Sequence, residues 1–487
     1  MLRRSVLPLL ALLATASILS AQEKTAEEFE ARWKKIEQDF VPGLARVAEW
    51  ADQKSLRHQA HKLYALLLQF QPQHPRARKV LKYHKTKSGS WERRGRYRLP
   101  PPRNSKHKDE FELRWLTVQQ SLVTRALRLI EELRQAEDEQ EEDLMEAERY
   151  RMIRQTLVAV APEDPKVRKL NGEARKDGKW LLEESLLTMT RRAELMDLAR
   201  KELEAVKAPQ AFEISAATKK LGNWNGAARS KHLRVVTTTG QEEAALIARY
   251  AEAAGIFGRS QMRMAARFPA GFQIHVMQSK AEWQSFLDKI PKLPPQRRAQ
   301  LSKLGGFSFG HGQLAIWSKE RKARIDSVCR QVIQLFANQY FGVNDQHAWI
   351  MEGMGLYISG LVCGTRLTWF VAPTRYAKRE STRWERAMKK DFDWLPPAKE
   401  LIESKECPSL RNCFRRSLSS MNDKEVLLAF AFSAYLIEGR PEDVPWVIRG
   451  CVEAEKERER PQEIFDAMGL DEGEVNARFR RWLKETL

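Results

Sequence analysis

"R-Q-V-I-Q-L-F-A-N-Q-Y-F" occupies residues 330–341 and "W-I-M-E-G-M-G-L-Y" occupies residues 349–357. Read as a helix, the first stretch sets Gln334 and Asn338 four residues apart, so both amides point the same way. Leu335 follows directly after the first of them. The second stretch carries a single carboxylate, Glu352, framed by Trp349 and Tyr357. Large aromatic residues at helical spacing belong in a core; the alternative is the wall of a groove. His311 and His347 stand before the two stretches' glutamate and are the imidazoles that a cleft here could recruit.

Upstream, strand and helix alternate. "HLRVVTTT" (232–239) is β-branched and strand-like, "EEAALIARYAEAAGIFGRSQ" (242–261) is helical, "GFQIHVMQS" (271–279) is a second strand, and "KAEWQSFLDKI" (280–290) a second helix. "GGFSFGHGQLAIWS" (305–318) predicts a β-hairpin turning through Gly310 and Gly312. His275 alternates with apolar residues in its strand, which predicts a structural side chain. Downstream, "EVLLAFAFSAYLIEGRP" (425–441) and "IFDAMGLDEGEVNARFRRWLKE" (464–485) read as helices. The pattern predicts an α+β fold with a small sheet and a helical C-terminal part.

This order of elements, with the two stretches quoted first, resembles the peptidase-MA-like family of gluzincin-type zinc peptidases over roughly residues 230–487. The resemblance implies a helix bearing H-E-x-x-H and a second helix, beginning W-x-x-E-G, that supplies a third ligand. Two histidines four apart would hold zinc through neutral imidazoles, and the intervening glutamate would take a proton from the metal-bound water. In this chain the histidine positions are Gln334 and Asn338, and the base position is Leu335. Only Glu352 stands where the family would have it. Carboxamide oxygens are poor zinc ligands and leucine accepts no proton, so the resemblance implies a degenerate member with no catalytic residue, no metal and no cofactor. Binding or scaffolding in the cell envelope is the expected role. The alternative is a zinc-dependent hydrolase with a non-standard site built on Glu352 with His311 or His347. In the first case the three polar groups satisfy one another, or the old cleft binds a peptide or glycan.

The N-terminal half reads as helices. "EKTAEEFEARWKKIEQDFVPGLARVAEWADQ" puts Phe29, Trp33, Ile36 and Phe40 on one stripe. A Pro-rich, basic stretch at 92–108 interrupts the pattern and reads as a linker between helical modules at 22–91 and 109–225. Residues 71–91 and 161–180 form a weak repeat: Pro72, Pro75, Arg78 and Trp91 match Pro162, Pro165, Arg168 and Trp180 after a one-residue slip. Each copy predicts a Pro-started helix, a glycine turn and a closing Trp. This is similar to the helical hairpins of tetratricopeptide-like modules, and it implies a short scaffold able to hold a protein partner.

Residues 1–21 read as a secretory signal: Arg3 and Arg4, then an apolar run, then small residues up to Ala21. A retained anchor is the alternative. No later run approaches the roughly 18 apolar residues of a membrane span, so the expectation is an exported, periplasmic or extracellular chain. The formal charge is +20, and removing Arg3 and Arg4 leaves +18. Such an excess favours acidic envelope polymers by long-range attraction; export and the lack of a recognition motif argue against nucleic acid. Five cysteines, Cys329, Cys363, Cys407, Cys413 and Cys451, all lie in the C-terminal third without C-x-x-C spacing. Cys407 and Cys413 are the best pair by proximity in sequence, and an odd thiol remains.

Overall fold

Phe29, Trp33, Ile36 and Phe40 are all buried, along one side of a helix, α1, that runs Leu7–Gln53. In the computed structural model, residues 7–93, 98–102, 105–137, 144–309, 312–366, 382–390 and 393–487 are described. The fold is mixed α and β, 63% helical with small sheets. It divides into two compact units, Met1–Ala174 and Arg175–Leu487. Among the described residues no helix is long and apolar enough to cross a membrane.

In the first unit α1 packs against α2 (Arg57–Phe70) and, further along the chain, against α4 (Lys108–Glu137). Between them come α3 (Pro75–Val80) and the hairpin β1 (Tyr83–Lys85) and β2 (Trp91–Arg93). The chain continues through α5 (Leu144–Val160), α6 (Pro165–Leu170), β3 (Glu173–Lys176) and β4 (Lys179–Leu182). Leu44 and Leu67 share one apolar cluster with Leu122, Ile130 and Leu157. The stretch 92–108 therefore connects helices that build a common core, so it does not separate two domains. The expected helical stretch 109–161 contains two helices, α4 and α5; residues 138–143 lie outside the described residues.

The repeat has a physical basis. Pro75 and Pro165 occupy the first turn of α3 and α6, where a missing N–H costs nothing. Their caps differ in type but act alike. His74 Nδ1 accepts from the Ala77 amide, and Asp164 Oδ1 accepts from the Lys166 and Val167 amides. Lys82 (φ 62°) and Gly172 (φ 66°) then reverse the chain into a two-stranded hairpin in each copy. Trp91 and Trp180 both lie on the hairpin's second strand, and the slip falls within the turn. Arg78 lays its guanidinium over Trp91, 4.5 Å from the ring centre.

The second unit begins its helices with α7 (Glu183–Ala205). A six-stranded sheet follows: β5 (Gln210–Ala211), β6 (Gly226–Arg229), β7 (Arg234–Thr237), β8 (Gln273–Met277), β9 (Gly306–Phe309) and β10 (Gln313–Trp317), in the order β5-β6-β7-β8-β10-β9. β7, β8 and β10 are parallel neighbours, and the remaining pairs are antiparallel. Helices α8 (Ala216–Leu221), α9 (Gln241–Gln261), α10 (Lys280–Lys289) and α11 (Pro295–Leu301) connect them. The expected strands and helices of 232–318 are present; residues 310–311 of the hairpin turn lie outside the described residues. Strand alternation splits the core. Ile274, Val276, Leu314 and Ile316 join the main cluster with α9, while Met277 and Ala315 join a smaller one with Trp283 and Phe286 of α10.

After the sheet come α12 (Arg321–Phe341), a π-helical segment π1 (Trp349–Met354) and α13 (Gly355–Cys363). The remainder is helical: α14 (Arg383–Lys390), α15 (Leu395–Glu403), α16 (Leu410–Phe414), α17 (Asp423–Ala434), a second π segment π2 (Tyr435–Gly439), α18 (Val444–Glu453), α19 (Arg460–Ala467) and α20 (Glu472–Thr486). Buried ion pairs tie α7 to this helical part. Arg192 places its Nε and Nη2 on the Glu438 carboxylate, 2.8–3.1 Å away, and Arg191 Nε donates to Ile437 O at 2.8 Å. Glu184 accepts from Arg478 at 2.8 and 2.9 Å. The texture change near 225–230 coincides with β6, the second strand of the main sheet. The division between units lies earlier, at Ala174/Arg175, because α7 buries its charges among the C-terminal helices.

Candidate functional site

The site is the contact of α12 with π1 and α13. α12 buries Val332, Ile333, Phe336 and Ala337 in the main core. That leaves Arg330, Gln334 and Asn338, each four residues on from the last, along an adjoining face. The helix ends where Gly342 (φ 82°) adopts the left-handed conformation and donates its N–H to Asn338 O.

π1 comes close to two helices, and glycines allow both approaches. A Cβ at Gly353 would stand 2.5 Å from Ala429 O of α17. A Cβ at Gly355 would stand 3.2 Å from Arg330 Cγ and 3.5 Å from Gln334 Nε2 of α12. The M-E-G-M-G sequence is thus the sequence of a segment pressed between helices. Its wide turn swings Glu352 inward, where it is 5% exposed.

The polar groups pair differently from the sequence expectation. Glu352 Oε2 meets Arg330 Nη1 at 3.3 Å, with both side chains largely buried. Gln334 Nε2 donates to Met351 O at 2.8 Å, one residue from that carboxylate. Asn338 does not join them: it is exposed and donates Nδ2 to Val343 O at 2.8 Å, closing the end of its own helix. Leu335 is half-buried against the main core. Gln334 and Glu352 therefore converge on one helix contact, and the third member of the set is Arg330 instead of Asn338. Arg330 opens the decisive stretch, one turn before Gln334. Its signal was a permanent cation placed at i−4 to a position facing a carboxylate.

Three of the groove candidates are buried. Trp349 is fully buried, donates Nε1 to Cys451 Sγ at 3.2 Å, and packs on Phe414 and Phe432. Tyr357 is 2% exposed and donates its hydroxyl to Glu438. Neither offers a face to a ligand; both are core side chains. Burial, with Glu438 alongside, pushes the Tyr357 hydroxyl well above its ordinary range, so it stays a donor. His347 is 5% exposed, and its Nδ1 accepts the Asn344 amide at 3.1 Å. Burial, then the nearby Arg460 guanidinium, lower its pKa, which favours the neutral ring that this hydrogen bond requires. His311 lies outside the described residues.

Among the described residues no three His, Cys, Asp or Glu side chains form a group that could hold a metal. One cavity, of 250 Å³, lies away from this contact, at the carboxyl ends of β7 and β8, between Trp224, Met277, Glu282 and Phe286. Another, of 220 Å³, lies beside α16 between Asn412, Arg415, Arg416 and Glu457. All five cysteines are free thiols; Cys413 donates to Glu425 O and Cys407 to Pro408 O. No protein-family model, curated protein or solved structure matches the chain.

Proposed function

We propose that residues 230–487 are a metallopeptidase-like scaffold whose catalytic centre has been taken over by its own side chains. The protein then acts by binding or scaffolding in the cell envelope, not by hydrolysis. One observation carries this: the Arg330 guanidinium lies on the Glu352 carboxylate, the only group left at an expected ligand position. Arginine is protonated at any physiological pH, so Glu352 has its counter-charge without a divalent cation. Gln334 is committed to a backbone carbonyl and Leu335 to packing, which supplies neither a ligand nor a base.

The export reading rests on the basic and apolar start of the sequence, and the partner reading on its charge. A chain this basic outside the cytoplasm attracts acidic polymers, and extended peptides or glycans are the chemistry a metal-free cleft would hold by hydrogen bonds. The two Pro-started helix and hairpin copies of the first unit are read as a short tetratricopeptide-like platform for a protein partner.

The test is elemental analysis of the purified chain, combined with titration of two variants with zinc. Wild-type protein is expected to carry no stoichiometric zinc. Gln334→His, Leu335→Glu, Asn338→His is expected to bind zinc weakly, and the same triple change with Arg330→Ala at least about tenfold more tightly, because Glu352 is released. One zinc per wild-type chain, lost in Glu352→Gln, would overturn the proposal. A folded quadruple variant with no zinc affinity would count against the register of the resemblance.

A further inference from the structure

The two repeat copies share a backbone plan and differ in charge. Residues 71–91 carry six lysine and arginine side chains and no acid, whereas residues 161–180 carry six and four acids. Those acids, Glu163, Asp164, Glu173 and Asp177, stand where the first copy has Gln73, His74, Tyr83 and Ser88. The stretch 92–108 adds seven more bases against Glu92 alone. Thirteen bases and one acid thus fall within 71–108, in a chain whose formal charge is +20.

The matching arginines show what the missing acids do. In the second copy Arg168 donates Nη1 to Glu173 at 2.9 Å and Nη2 to Glu163 at 2.6 Å. Its counterpart Arg78 donates Nε to Pro72 O and lies over Tyr83 and Trp91, 5.3 and 4.5 Å from the ring centres. Arg93 lies 4.8 Å from the Tyr83 ring centre and donates Nη2 to the Tyr83 hydroxyl at 2.9 Å. Rings hold a guanidinium without cancelling its charge. The stack Trp91–Arg78–Tyr83–Arg93 therefore braces a hairpin of two three-residue strands and keeps it basic. Lys79, Lys82, Lys85 and Lys87 are exposed around it. Lys82 holds φ 62° where the second copy has Gly172, so a cation stands where the backbone favours glycine.

We propose that the hairpin Tyr83–Arg93, with Lys79 and Lys82 at its base, binds an acidic polysaccharide through its repeated carboxylates. This rests on the reading of a chain drawn to acidic polymers, and it assigns that attraction to one element. Lysines are hydrated point charges on flexible stems, suited to a row of carboxylates without fixed geometry. Nucleic acid and membrane fit less well. Arginines already cover the Tyr83 and Trp91 rings on which bases would stack. No large apolar side chain among residues 71–93 is exposed to enter a bilayer.

The probe is immobilised polygalacturonate, over which full-length protein is passed at several salt concentrations with EDTA present. The native chain is expected to bind, less tightly as salt rises. Lys82→Gln, Lys85→Gln, Lys87→Gln should raise Kd about tenfold and flatten the salt dependence. Lys289→Gln, Lys303→Gln, Lys322→Gln removes the same charge from exposed positions of the second unit and should change Kd less than about twofold. Gln73→Glu keeps the acceptor used by Trp91 Nε1 and supplies the carboxylate that Glu163 gives Arg168; it should weaken binding about threefold. Circular dichroism melts establish that each variant is folded. Equal losses in the two triple variants, or no binding by the native chain, would overturn the assignment. So would tighter binding to duplex DNA or to phosphatidylglycerol vesicles at the same ionic strength. EDTA separates this outcome from the zinc titration: zinc held by Glu352 would remove the scaffold reading and leave the hairpin's ligand standing.

Discussion

Arg330 and His275 show how a side chain's partner decides its chemistry. A carboxylate facing two imidazoles is a metal ligand; the same carboxylate facing a guanidinium is half of an ion pair. Glu352 is the second kind, because the cation stands on α12 one turn before Gln334. His275 shows burial doing similar work. It is fully buried among Trp224, Phe286 and Phe309, with Gln313 Oε1 3.1 Å from its Nε2. Burial pushes its pKa down to about 4, against a small opposing effect of Gln313. The folded value thus lies below the unfolded one, so the unfolded chain binds the proton first as the pH falls. This residue costs no stability above about pH 6.5, and its cost grows to about 3 kcal/mol as the pH falls through that value towards 4. Urea midpoints between pH 7 and pH 4.5 should therefore fall less in His275→Gln than in the native chain, and parallel declines would refute the assignment.

At the scale of elements, the two π segments share a design. Each ends in a buried glutamate followed by glycine, Glu352-Gly353 in π1, before its last residue, and Glu438-Gly439 in π2. In both, the glycine faces another helix: a Cβ would meet Ala429 O at 2.5 Å in π1 and Glu184 Cβ at 3.0 Å in π2. The wide turn carries the carboxylate inward, and the missing side chain lets the neighbour approach. Gly353→Ala should accordingly lower stability by about 3 kcal/mol, since the obstacle is a helix backbone that cannot rotate away. Chemical unfolding would measure this, and a variant within experimental error of the native midpoint would show that α17 shifts freely. The sequence displayed the E-G pairs, but a π turn was not legible in them. Its extra residue per turn is imposed by packing, whereas local spacing suits an ordinary helix equally well.

At the scale of the whole molecule, the two units have separate apolar cores, one running from Phe29 to Val167 in the first unit, and in the second a main cluster from Leu182 onward with the smaller one around Trp283 beside it. Cores with separate membership melt separately unless coupled. Urea unfolding followed by tryptophan fluorescence and by circular dichroism should resolve two steps, with Gly353→Ala moving only one of them. A single transition, coincident by both probes and shifted as a whole, would show the units to be one cooperative body.

Periodicity and chain order were enough to read the strands and helices of 232–290, the apolar stripe of α1 and the two Pro-started repeats. Those features follow from residues that are neighbours along the chain. The same local spacing put Gln334 and Asn338 on one helix face, yet it could not say which of them meets Glu352. Only the tertiary structure turned Asn338 to the end of its own helix, brought Arg330 onto the carboxylate, sank Trp349 and Tyr357 into the core, and moved α7 into the second unit. These outcomes depend on contacts between residues distant in sequence, whose energies arise from burial and charge pairing in the assembled fold and leave no period in the chain.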